Sequence, residues 1–165
     1  MKHILNVLVQ NRAGVLVRVA GLFSRRGYNI NSLTVGVTEN PEISCMTIVV
    51  EGDDRIIEQV TKQLHKIVEV LKIKDVTNDE YVGRELLMLR VLAEKEDRVE
   101  IMKMCEIFRI KIVDINRKSF IIEATGNHSK LNAIEEAFRP YGIQEMSRTG
   151  IIAMVRGDNK AARRD

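Results

Sequence analysis

Apolar and polar residues along this chain follow two periods, and each change of period marks an element. Ile4-Leu5-Asn6-Val7-Leu8-Val9 is an apolar run of strand length. Val15, Leu16, Val19, Ala20, Leu22 and Phe23 then recur at helical spacing, which predicts a helix over residues 14–26. Arg25 and Arg26 suit the negative end of its dipole, and Gly27 stands at the expected stop. Residues 30–37 and 43–51 are rich in β-branched side chains, and Thr38-Glu39-Asn40-Pro41-Glu42 between them is a turn cluster, so the pair reads as a hairpin. Gly52-Asp53-Asp54 opens a second helix whose buried stripe is Ile56, Ile57, Val60, Leu64 and Ile67. A strand over 68–76 completes the order βαββαβ.

Thr77-Asn78-Asp79-Glu80 is a polar linker, after which the pattern restarts. Strands are expected at 85–92, 111–115 and 119–125, and a last one at 143–155. Helices are expected at 97–108 and, capped by Asn127, up to Phe138. The second half is again βαββαβ. The fold class is therefore α+β, two tandem ferredoxin-like domains, 1–77 and 78–165, the second with a charged, frayed tail from Arg156. A common offset aligns Leu22-Phe23 with Ile107-Phe108 and Ile30 with Ile115, as in a diverged repeat. It sets Gly14 against Val99 and Asn29 against Asp114, so the second copy lacks the first copy's glycine and only the first holds a site. The apolar run at 4–10 is expected to be an edge strand, which predicts a dimer through the first domain.

Asn11-Arg12-Ala13-Gly14 joins the first strand to the first helix. Gly14 permits positive φ and close approach of a ligand to the backbone. The helix start presents unpaired N–H groups, an anion site suited to a carboxylate or phosphate.

Composition narrows the classes. The formal net charge is only +3, with both signs mixed along the chain, so a dedicated nucleic-acid binder with a clustered basic stripe is disfavoured. An RNA-binding sheet of the same βαββαβ order would stack bases on strand aromatics, and the strands at 4–10 and 43–51 contain none. Cys45 and Cys105 are far apart in apolar patterns and read as buried free thiols; His3, His65 and His128 are isolated, so no metal site is expected. No signal peptide or membrane-length apolar run is present, and the chain reads as cytoplasmic. An acyl-phosphate hydrolase using Arg12 and the turn amides is an enzymatic alternative, but no second catalytic group accompanies Arg12.

The stretch from Gly14 through Gly21-Leu22-Phe23-Ser24-Arg25-Arg26-Gly27-Tyr28-Asn29-Ile30-Asn31-Ser32-Leu33 to Val35 closely resembles the small regulatory subunits of acetohydroxyacid synthase (acetolactate synthase). Met46-Thr47-Ile48-Val49-Val50, residues 57–64 and Arg148-Thr149-Gly150 resemble the same family. The resemblance implies that the first domain is an amino-acid-binding ACT domain and that the chain itself is non-catalytic. It implies partners: a second copy of the chain, paired through edge strands, and a large catalytic subunit. Thiamine diphosphate, Mg²⁺ and FAD would sit on that catalytic subunit, with no cofactor on this chain. The small subunit would raise the enzyme's activity and confer feedback inhibition by a branched-chain amino acid, usually valine. A tandem amino-acid sensor for another pathway differs only in its partner. Effector-site residues implied are Asn11, Gly14, Val15, Leu16, Asn29 and Ile30, with Asn29 reaching across from the partner copy, Leu33 a further apolar contact and Arg12 a loop cation. Asparagine offers both a carbonyl and an NH₂ group, which suits a zwitterion.

Overall fold

The computed structural model describes residues 1–157 of the chain. The apolar run builds the first strand, β1 (Lys2–Gln10), which turns Leu5, Val7 and Val9, all buried, to one face. Helix α1 (Val15–Arg25) packs Val15, Val19, Leu22 and Phe23 onto that face. Strands β2 (Ile30–Val37) and β3 (Ile43–Glu51) form the expected hairpin. Helix α2 (Asp54–Leu64) starts at Asp53, whose carboxylate accepts the Ile56 N–H at 2.8 Å. Its buried side chains are Ile57, Val60 and Leu64, and β4 (Val70–Asp75) closes the sheet. Fully burying such side chains contributes about 1.5–3 kcal/mol each.

The chain divides into two units, residues 1–82 with the returning segment from Ile151, and residues 83–150. In the first the strand order is β2-β3-β1-β4. The expectation that residues 4–10 form an edge is therefore overturned. β1 pairs with β3 on one side and β4 on the other, and the edges are β2 and β4. The reason is the split βαβ connection, which returns β3 and β4 to either side of the first strand.

The second unit contains most of β5 (Tyr81–Leu92), then α3 (Arg98–Phe108), β6 (Lys111–Ile115), β7 (Ser119–Gly126), α4 (His128–Phe138) and β8 (Ile143–Arg148), with sheet order β6-β7-β5-β8. Asn127 caps α4 as expected, accepting the Lys130 N–H at 2.9 Å. Its core gathers Leu87, Leu89, Ile101, Phe120, Ile122, Leu131 and Phe138.

Two expectations fail here. The last strand is two strands, because the chain turns at Thr149-Gly150; β9 (Ile152–Val155) falls with the first unit and pairs with β5 as the fifth strand of that sheet. There Ala153 packs with Ile4 and Val76, and its carbonyl accepts the Asn6 side-chain N–H at 2.8 Å. The common offset between the halves also fails: Leu22 and Phe23 are 6% and 1% exposed, but Ile107 is 76% exposed. The residue before α3 is Asp97, in right-handed helical geometry, so the second copy does lack the glycine found before α1. Residues 158–165 of the expected frayed tail lie outside the described residues.

Candidate functional site

The turn between β1 and α1 is held by its neighbours. Asn11 donates its backbone N–H to the Glu42 carbonyl at 2.7 Å and its side-chain N–H to the Pro41 carbonyl at 2.9 Å, tying the turn to the β2–β3 hairpin. Arg12 N–H donates to the Gln10 carbonyl at 2.9 Å. Gly14 has φ 84° and ψ −11°, a left-handed conformation that only glycine adopts freely. An added Cβ there would meet nothing within 4 Å, so the backbone at Gly14 is open to approach. No side chain caps α1, which leaves the partial positive charge of its first turn available to an anion.

The six predicted residues divide into two groups. Asn11, Gly14 and Leu16 are exposed around the turn. Val15 follows them, but its side chain is 3% exposed and belongs to the core, and its N–H makes a long 3.4 Å bond to the Arg12 carbonyl. A cleft of about 380 Å³ beside the turn is lined by Asn11, Arg12, Asn40, Pro41, Glu42 and Leu71 among others. Asn29 and Ile30 are elsewhere. Ile30 pairs with Val50, which pairs with His3 at the start of β1, whereas the turn follows Gln10 at its end. At about 3.3 Å per strand residue the two groups are roughly 23 Å apart in one chain. Asn29 is exposed; Ile30 and Leu33 are half-buried against the core. Within one chain, therefore, the turn and Asn29 do not meet.

The edge strand β2 offers a way to join them. Its backbone groups are unpaired on one side, and Val35 and Val37 are 42% and 59% exposed. Antiparallel pairing of two β2 strands would carry the start of one strand to the end of the other, where the turn lies.

Other chemistry is sparse. Among the described residues no three His, Cys, Asp or Glu side chains converge as a metal cage. Burial pushes the Cys105 thiol up to about 11 and raises Cys45 as well, so both stay protonated. No helix of the described residues is long and apolar enough to cross a membrane. Two polar clusters escaped the sequence reading. In the second unit, Glu85 is 8% exposed and takes Arg148 Nε at 2.6 Å and His128 Nδ1 at 3.1 Å, while Arg148 also donates to Asn132 at 2.7 Å. In the first, buried His3 meets Asp75. Their members stand so far apart in sequence that no local spacing announces them.

Comparison with known proteins agrees with this architecture. Residues 5–72 match the family described as AHAS small subunit-like ACT domain, and residues 84–157 the family described as small subunit of acetolactate synthase. The chain is 56% identical over 160 residues to a probable acetolactate synthase small subunit of Archaeoglobus fulgidus, covering 97% of this chain and 100% of that protein. It is 45% identical over 164 residues to the acetolactate synthase small subunit of Bacillus subtilis, covering 98% and 95%. The crystal structure of the Thermotoga maritima acetolactate synthase small subunit superposes with a TM-score of 0.89 at 43% identity, covering 96% of this chain and 99% of that one. The chain belongs to the acetolactate synthase small-subunit family, the regulatory and not the catalytic subunits of that enzyme.

Proposed function

We propose that this chain activates a thiamine-diphosphate-dependent acetolactate synthase catalytic subunit and makes it sensitive to feedback inhibition by a branched-chain amino acid, valine first among them. The observation that carries the effector site is the left-handed Gly14 at an uncapped helix start. A carboxylate laid against that backbone meets the positive end of α1 with no side chain in the way. Two copies pair through β2, and Asn29 of one then faces the turn of the other. Its amide takes the ammonium or carboxylate, with Asn11 supporting from the turn and Leu16 and Ile30 offering apolar contact. Occupying a site made by two chains ties ligand binding to the geometry of the pair, which is what a regulatory subunit needs. Thiamine diphosphate, Mg²⁺ and FAD belong to the catalytic partner, in the cytoplasm.

The test assays each purified chain alone and the two together, with and without valine. This chain alone forms no acetolactate; mixed with the catalytic subunit it raises activity several-fold, and valine withdraws that gain. Activity of this chain alone, or no effect on the other, overturns the proposal.

A further inference from the structure

One residue grips the Gly14 turn at both of its ends. Glu69 stands just before β4, and its backbone carbonyl accepts the N–H of Gln10, the last residue of β1, at 2.8 Å. Its carboxylate pairs with the guanidinium of Arg18, one turn into α1. Arg18 is also the residue whose backbone N–H meets the Gly14 carbonyl, at 3.0 Å. Glu69 therefore spans the turn, from the end of β1 to the start of α1. On the hairpin side the turn is held separately, through the Asn11 bonds to Pro41 and Glu42. A cation so near a helix start opposes the dipole, and the first turn of α1 holds no acidic residue to offset it. Glu69 supplies that charge from outside the helix. Its side chain is only 16% exposed against 62% for Arg18, so the pair is less screened than one wholly in solvent.

Resting on the effector reading above, we propose that Glu69 and Arg18 are positioning residues for the effector. They fix the span between Gln10 and α1, so that the amides at Gly14 and Val15 stand ready for a carboxylate before it arrives. Neither side chain touches the effector; both act through the turn. A loop already held in its binding geometry loses less freedom when the ligand binds, and affinity rises by that difference. Guanidinium and carboxylate cancel each other's field, so the contribution of the pair is geometric.

The test is calorimetry with valine on the full chain, comparing wild type, Arg18→Gln, Glu69→Gln and the double variant, with Gly14→Asp alongside. Each single substitution keeps the size of its side chain and should weaken valine binding roughly fivefold. The double variant should lose no more than either single one, because the pair acts as a unit. The direction of the two single effects separates geometry from charge. A field acting straight on the effector carboxylate would make Arg18→Gln bind more weakly and Glu69→Gln more tightly. A pair serving stability alone would lower Tm in both and leave valine affinity where it was. Opposite shifts, unchanged affinity in either single variant, or additive losses overturn the proposal while Gly14→Asp still abolishes binding. Failure of the effector reading looks different: wild type binds no valine, or Gly14→Asp binds it undiminished, and the positioning role falls with it.

Discussion

Replacing Gly14 by aspartate separates the effector site from the rest of the protein's work, and its size can be worked out beforehand. Gly14 has φ 84°, and an added Cβ meets no atom within 4 Å, so the substitution strains the backbone without a clash. Holding an L-residue there costs about 1–2 kcal/mol. For a chain of this size that lowers Tm by roughly 2–8 °C. The new carboxylate adds a second effect on the effector alone. At about 4 Å from a bound carboxylate and an effective dielectric of about 20, repulsion is about 4 kcal/mol. At about 1.4 kcal/mol per tenfold, valine affinity falls by roughly a thousandfold. Gly14→Ala is the control, since it carries at least as much backbone strain and no charge. Calorimetry with valine should show a near-complete loss for aspartate and a much smaller one for alanine, while both variants still stimulate the catalytic subunit. Unchanged valine affinity in Gly14→Asp would refute the placement of the site. Equal losses in both variants would refute the electrostatic account of it. Loss of stimulation would mean that the turn also touches the enzyme.

Three further outcomes are expected. Val35→Lys puts a charge on the exposed edge β2; light scattering at low concentration should find a monomer, with effector binding lost alongside, and a persistent dimer would exclude pairing through this edge. Arg148→Ala leaves Glu85 buried at 8% exposure without its cation, and chemical denaturation should show a loss of about 3–5 kcal/mol, far more than a surface ion pair gives. Cys105, whose thiol burial raises from 9.0 to about 11, stays neutral in the folded chain where the unfolded chain ionises, so stability is full below pH 9.0 and falls as pH rises towards 11. Denaturation midpoints measured across that window check the sign, and a Cys105→Ala variant should show a shallower slope, with Cys45 still contributing.

Most elements were legible because each declares itself locally. The period of 3.6 in α1, the Asp53 and Asn127 caps and the β-branched hairpin strands need no tertiary knowledge. Strand neighbours are another matter. The run from Ile4 to Gln10 reads as an exposed edge, but it is apolar because β1 is central, paired with a strand on either side. The helices take Leu5, Val7 and Val9, while Ala153 of β9 meets Ile4. A strand buried on both sides looks much like an unprotected edge when only the sequence is in view. The false offset has a similar cause. Shared apolar letters matched Leu22 to Ile107, but one is buried and the other faces outward, because identity of type does not fix the side of a helix. In the candidate site, the glycine and the uncapped helix start were legible from the turn's own chemistry. That Asn29 stands at the far end of the sheet follows only from strand order.

The return of β9 to the first unit gives the molecule a history as well as a shape. A ribosome delivers residues 1–82 first, but the strand that seals the outer face of β1 comes only after the whole second unit. At about 5–20 residues per second, the wait is roughly 4–15 s. Throughout it Ile4 lacks Ala153, and the Asn6 amide lacks the carbonyl it will bond. Residues 83–150, contiguous in sequence, are all made before β9, which pairs with β5 as well. Birth order and closing order thus differ in this chain: the strand made last completes the unit begun first.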